Sequence, residues 1–162
     1  MAEDGACGPY GGGGRTSRMI WTVPASEAAA RQILVRMMAQ LRALGIDGET
    51  RGTVEIAVAE VVNNVVEHAY GGLPAGPVIV ALDVHGANLD VTVRDRGKPL
   101  SEEATRLPVA ADHSGPLATL PEGGYGRLLI QSLARDLSYQ RKRGENRLWM
   151  RFVCNSPQGR GR

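Results

Sequence analysis

Apolar residues between positions 27 and 44 recur at helical spacing: Ile33, Leu34, Met37, Met38, Leu41 and Leu44 share one side. Ser26 stands where a side-chain oxygen caps the first turn, and Gly45 stands where such a helix ends. A second helical period runs from about Gly48 to Ala69, with Val54, Ala57, Val58, Val61, Val62, Val65 and Val66 on its buried side. Valine is a mediocre helix former, so this helix is expected to rely on tertiary burial. Gly71, Gly72 and Pro74 close it. Strand-like runs flank the pair: Met19–Val23, stopped by Pro24, and then Val78–His85 and Leu89–Asp95, which alternate around a short Gly86-Ala87-Asn88 turn. Gly126–Arg135 reads as a further helix, followed by Leu137–Arg143 and Asn146–Val153 as a hairpin turning at Gly144-Glu145. The order β-α-α-β-β-loop-α-β-β predicts an α+β fold: a two-layer α/β sandwich whose mixed, mostly antiparallel sheet carries its helices on one face.

The remaining segments break this pattern. Residues 1–18, with Gly11 to Gly14 in a row, read as a flexible tail, and residues 155–162 as a second loose end. One domain without internal repeats, residues 19–154, lies between them. Residues 97–123 are rich in glycine and proline, with one turn of helix expected near 102–106. A loop this long inside a compact domain is usually either functional or a sign that an element has been misassigned.

Composition narrows the classes. The chain is 43% hydrophobic but only 4% aromatic, so Val, Leu, Ile, Ala and Met must build the core. The formal net charge of +2 and the scattered arginines argue against a nucleic-acid surface. Cys7 and Cys154 are too few for a disulfide framework, and no Cys/His spacing suggests zinc. No apolar run is long enough for a membrane span, and no secretory signal pattern opens the chain. A cytoplasmic setting is the expectation.

Four segments carry candidate chemistry. Glu60 and Asn64 are four residues apart, so a helix projects both from one face, where a carboxylate and an amide could activate a hydroxyl and hold a metal ion. A solvated helix face would look the same, but adjacent Asn63 and Asn64 are poor helix formers, which points to selection for something else. Asp95-Arg96-Gly97-Lys98-Pro99 follows a strand. It reads either as a turn or as a carboxylate accepting from an exocyclic amino group, with Gly97 letting a flat ring approach. Gly123-Gly124-Tyr125-Gly126 precedes a helix whose N-terminus favours an anion, though no Walker lysine and serine accompany it. Gly144-Glu145-Asn146-Arg147-Leu148 is by itself an ordinary hairpin.

In this order and spacing the segments resemble the boxes of the GHKL ATPase/kinase superfamily with its Bergerat nucleotide-binding fold. About 30 residues separate Asn64 from Asp95, and about 30 more lead to Gly124. Within that superfamily the chain is most similar to bacterial anti-sigma factor serine/threonine kinases of the sporulation and stress-response type. Residues 59–70, ending His68-Ala69-Tyr70, resemble the N box; 93–99 the G1 box; 122–130 the G2 box; and 144–150 the closing strands. The resemblance covers about residues 19–153. It implies ATP and Mg²⁺ as cofactors, with Asn64 as the Mg²⁺ ligand and Glu60 as the general base. It also implies Asp95 on the adenine amino group, Gly97 allowing the ring close, Gly124 and Gly126 wrapping the phosphates, and residues 100–122 as an ATP lid. Its implied partners are a STAS-domain anti-anti-sigma protein, an alternative sigma factor and a second copy of the chain. No direct nucleic-acid or membrane contact is implied.

His68, near a helix end, is expected to be partly buried and hydrogen-bonded, and Tyr70 to pack; His85 and His113 have no assigned role. The chain departs from the family pattern at several places. Asn63 stands where threonine is common, Arg127 replaces an apolar residue, and Pro121-Glu122 stand where some relatives carry a basic residue. Asn146 stands near the position of a threonine that contacts the adenine site in many relatives. These departures keep a second reading open, an ATP-dependent protein-binding switch of the same fold without phosphoryl transfer. The detached catalytic domain of a histidine kinase fits less well, because no helix bearing a phospho-acceptor histidine precedes the domain.

Overall fold

The computed structural model describes residues 16–100 and 125–154. Strand β1 is Thr16–Pro24, followed by helices α1 (Glu27–Ala43) and α2 (Gly48–Asn64), the latter continued by a π-helical turn, Val65–Ala69. Strands β2 (Pro77–His85) and β3 (Asn88–Asp95), helix α3 (Tyr125–Leu133), and strands β4 (Asp136–Lys142) and β5 (Glu145–Val153) complete the described chain. The strands form one sheet in the order β1-β2-β3-β5-β4, and every pairing is antiparallel. The expected α+β sandwich is therefore present, with antiparallel ladders throughout the described residues. Strand β1 begins at Thr16, inside the stretch expected as tail, and it runs through Pro24, an edge position where proline is tolerated.

Local signals set the helix ends. Ser26 caps α1 by accepting from the Ala29 N–H at 3.2 Å. Gly45, at φ +75°, ends the helix: its N–H donates to the Arg42 carbonyl and the Ile46 N–H to the Leu41 carbonyl, both at 3.0 Å. Leu44 is the C-cap and is exposed rather than buried with the apolar side. Asp47 caps α2 through the Thr50 N–H at 2.9 Å and the Thr50 hydroxyl at 2.6 Å. These two bonds pull the Asp47 carboxyl below its usual range.

Burial decides α2. Each valine costs at most about 0.7 kcal/mol of helix propensity against alanine, whereas full burial of its side chain contributes about 1.5–3 kcal/mol. Val54, Val58, Val61, Val62 and Val65 are all buried, against Val78, Val80 and Leu82 of β2, Leu89, Val91 and Val93 of β3, and Met150 and Phe152 of β5. The helices thus cover one face of the sheet, and alternation along each strand sends the intervening residues to the other.

That other face is held by ions. The Arg151 guanidinium donates from Nε and Nη2 to the two Asp90 carboxylate oxygens, each at 2.7 Å, and lies 5.0 Å from the Trp149 ring centroid. His85 Nε2 adds a 3.0 Å contact to Asp90, which gives a role to a histidine that sequence reasoning left unassigned. Burial raises the Asp90 carboxyl, but the hydrogen bonds from Arg151 and His85 outweigh it and hold the group below its ordinary value.

The hairpin turn falls one residue earlier than expected, at Arg143-Gly144, with Lys142 and Glu145 as the last pair. Both turn residues have positive φ, +52° and +77°. A two-residue loop of that kind matches the twist of the flanking strands and takes glycine readily at its second position.

A depressed folded-state carboxyl stabilises fully above the unfolded value of about 3.9 and loses that contribution as pH falls through the lower folded value. Asp90→Asn is therefore expected to lose about 1–3 kcal/mol near neutral pH, between exposed and buried ion pairs. In urea titrations the gap from the parent should narrow below about pH 3.9; a gap independent of pH would disprove the assignment.

Candidate functional site

The site is organised by the C-terminal end of α2. Glu60 and Asn64 both lie within the regular α-helical segment, so they share a face. Both are partly exposed, and no other described residue makes a hydrogen bond or ion pair with either side chain. Immediately after Asn64 the helix widens: the Tyr70 N–H donates to the Val65 carbonyl at 3.0 Å, a five-residue step typical of a π-turn. The extra residue in this turn rotates the positions beyond it. His68 consequently points to solvent, its side chain 72% exposed and 4.0 Å from Glu67, rather than being buried and hydrogen-bonded as expected. The inward position passes to Tyr70, which is buried as anticipated.

Tyr70 and Ala69 tie three elements together. The Tyr70 hydroxyl donates to the Pro77 carbonyl at the start of β2 and accepts from the Arg96 N–H just beyond β3, both at 3.0 Å. Its ring leaves no room at Gly76, where a Cβ would fall 2.5 Å from Cε1. The Ala69 carbonyl accepts from the Lys98 N–H at 2.7 Å, and Lys98 Nζ donates to the Gly71 carbonyl at 2.6 Å. A Cβ on Gly97 would stand 2.4 Å from the Ala69 oxygen. The close approach that Gly97 permits in this structure is thus that of the helix end.

Asp95 is buried at the end of β3, opposite Val78 on one side and Asn146 on the other. Its Oδ1 accepts from the Gly97 N–H at 2.9 Å and from Asn146 Nδ2 at 2.7 Å. No described residue donates to Oδ2, so one carboxylate oxygen stays available as an acceptor. Asn146 is itself saturated. Its Nδ2 also donates to the Lys98 carbonyl at 2.9 Å, while its Oδ1 accepts from the Tyr139 hydroxyl at 2.7 Å and from Arg141 Nη1 at 2.6 Å. With both donors and both lone pairs engaged, Asn146 buttresses Asp95 and has nothing left for a base. Arg141 also donates to the Gly97 carbonyl at 3.0 Å, and the Tyr139 hydroxyl accepts from the Leu100 N–H at 3.2 Å.

Of the residues singled out from sequence, Gly97 meets the end of the π-turn directly, at Ala69, and Asp95 reaches it only through its hydrogen bond to the Gly97 N–H. At 1.5 Å per residue, Asn64 lies about 7 Å and Glu60 about 14 Å up the helix axis from Ala69. Gly126 sits in the first turn of α3, whereas Gly124 and the lid expected over 100–122, apart from Leu100, lie outside the described residues. Lys98, Tyr139 and Arg141 were missed. Register alone brings Arg141 opposite Asn146, and nothing local in the sequence signals it. Cys154 belongs to the buried apolar cluster, and that burial raises its thiol above its ordinary value.

The donor set can be tested against a metal. No cluster of three or more His, Cys, Asp or Glu exists among the described residues. A single amide oxygen beside one carboxylate cannot cage a resident ion. It does fit Mg²⁺, which keeps waters and takes much of its coordination from substrate phosphates. No helix of the described residues is long and apolar enough to cross a membrane.

Gly97→Ala should force the Asp95–Lys98 turn away from Ala69. Overpacking of this kind costs about 1–3 kcal/mol, read as a lowered denaturation midpoint together with weakened ATP binding by calorimetry. Parent-like values of both would remove the contact from the account.

Comparison with known proteins agrees with this geometry. The family profile described as "Histidine kinase-like ATPase domain" matches residues 23–152. Proteins named serine-protein kinase RsbW are among the relatives. The one from Bacillus cereus is 25% identical over 140 residues, covering 86% of this chain and 87% of the relative. The one from Halalkalibacterium halodurans is 30% identical over 113 residues, covering 69% and 68%. The crystal structure of the RsbU and RsbW domains of a Mycobacterium tuberculosis protein superposes with a TM-score of 0.62 at 20% identity over 85% of this chain. This chain spans 32% of that longer polypeptide, and the likeness there is one of fold. The chain belongs to the histidine kinase-like ATPase domain family and, within it, to the anti-sigma factor serine kinases of the RsbW type.

Proposed function

We propose that this chain binds Mg-ATP and transfers the γ-phosphoryl group to a serine or threonine hydroxyl of a STAS-domain anti-anti-sigma protein. We further propose that it sequesters an alternative sigma factor as a homodimer in the cytoplasm. The observation that carries the reading is the pair of unpartnered, partly exposed side chains, Glu60 and Asn64, on a helix whose end is locked to the Asp95 turn. The kinase names carried by relatives of similar length support it.

Each role follows from the chemistry of the group. Asp95 Oδ2 would accept from the adenine amino group while Asn146 and the Gly97 N–H hold the carboxylate in place through Oδ1. Asn64 would ligate Mg²⁺, which supplies neutralisation of phosphate charge when bound. Glu60 would take the proton of the substrate hydroxyl as its oxygen bonds to the γ-phosphorus, the bond to the bridging oxygen breaks, and ADP leaves. Gly126, in the first turn of α3, and Gly124, which precedes that helix in the sequence, would let backbone N–H groups turn to the phosphates, and residues 100–122 would close over them.

Intact-mass measurement of candidate STAS proteins after incubation with this chain and Mg-ATP should show one added phosphate. Glu60→Gln should keep ATP affinity and slow transfer about 10²–10⁴-fold, the usual contribution of a general base. A parent-like rate would remove Glu60 from that role. Tight ATP binding with no transfer to any candidate would favour the switch without phosphoryl transfer. Asn64→Ala should abolish the Mg²⁺-dependent part of ATP affinity in calorimetry, and an unchanged dependence would reject it as the ligand.

A further inference from the structure

On the sheet face away from the helices, at the end where β4 turns into β5, lies a groove of about 350 Å³. It is lined by Arg96, Gln140, Lys142, Arg143, Glu145 and Arg147. Strand alternation places these residues opposite the nucleotide side: Asp95, Arg141 and Asn146 face the helices, and their chain neighbours face the groove. The single acid, Glu145, lies 3.8 Å from Arg94. The cations Arg96, Lys142, Arg143 and Arg147 are exposed, and among the described residues none has a carboxylate within ion-pair distance. Four cations lining one groove without a carboxylate partner among the described residues create a positive potential that favours an anionic occupant.

Arg143 adds an independent observation. It holds φ +52° at the first position of the two-residue turn, where asparagine or glycine would fit with less strain. An arginine kept at such a position points to a use for its side chain.

We infer that this groove docks an acidic, extended segment of a partner protein. Carboxylates suit it because the arginine fork matches them bidentately, as the Arg151–Asp90 pair on the same sheet face shows with two 2.7 Å bonds. A polypeptide suits it because β4 is the terminal strand of the sheet among the described residues, so its outer edge offers main-chain groups to a strand laid beside the cations. Nucleic acid suits it poorly. The net charge is only +2, and Glu145 interrupts the run of cations that a phosphate backbone would follow.

The groove requires no nucleotide, so ATP affinity and thermal denaturation serve as independent checks that variants fold. The test is fluorescence anisotropy of a labelled deca-glutamate peptide on the full chain at low salt, with an equally charged DNA oligonucleotide and inorganic phosphate as rival ligands. Arg147→Gln combined with Lys142→Gln should weaken the peptide about tenfold, at about threefold for each exposed cation. Arg143→Asn should weaken it about threefold while raising the melting temperature by about 3 °C, because the turn strain is relieved. A structural turn residue would show only the second effect. Peptide affinity unchanged in both variants would overturn the inference. So would tighter binding of the oligonucleotide, or displacement of the peptide by millimolar phosphate at constant ionic strength.

Discussion

Contact between the end of α2 and the turn after β3 is the constraint on which the site depends. Gly97 lies against the Ala69 carbonyl so closely that a methyl group has no place there. The carbonyl accepts the Lys98 N–H, and Tyr70 next to it bonds both β2 and the Arg96 N–H. A buried hydroxyl satisfied as donor and acceptor is costly to disturb, because either lost partner leaves a desolvated polar group. Through this junction the helix carrying Glu60 and Asn64 is tied by hydrogen bonds to the turn that follows the strand carrying Asp95. Sites that act on charge need such rigidity, since a preorganised group does not have to reorient when the ligand arrives.

The π-turn is what makes the junction possible. A regular helix continued past Asn64 would carry His68 inward and turn Tyr70 away. The single extra residue per turn reverses this, freeing the histidine and burying the tyrosine. The cost of the widened turn is borne at one place, directly beyond the residue read as a metal ligand.

The sheet serves two chemistries through its period of two. On the helix side Asp95 and Asn146 are buried, and Asn146 is saturated by hydrogen bonds while Asp95 is engaged through Oδ1 alone, so its Oδ2 stands out. On the opposite side the same strands carry arginines. There Asp90, Arg151, His85 and Trp149 form a compensated cluster at one end, and an uncompensated basic groove lies at the other. Shifting any strand by one residue would exchange the two faces, so the buried valines that hold register also hold both surfaces in place.

Much of this protein was legible along the chain because it rests on local physics. Helix periodicity, the Ser26 cap and the Gly45 stop place α1; the valine stripe places α2; and the four-residue step puts Glu60 and Asn64 on one face independently of any tertiary contact. The hairpin was legible as well, although its turn lies at Arg143-Gly144, because the sign of φ at a residue such as Arg143 is not written in its identity. Nothing local brought Arg141, Tyr139 and Asn146 together behind Asp95, gave His85 to Asp90, or turned His68 outward. Those outcomes depend on strand register and on one widened turn, which are decided by how the buried side chains of distant segments pack. The sequence by itself determined the elements and the identities of the reactive groups, since both follow from neighbours along the chain. Only the tertiary structure decided which groups are held, which are spent on holding others, and which are left free to meet a ligand.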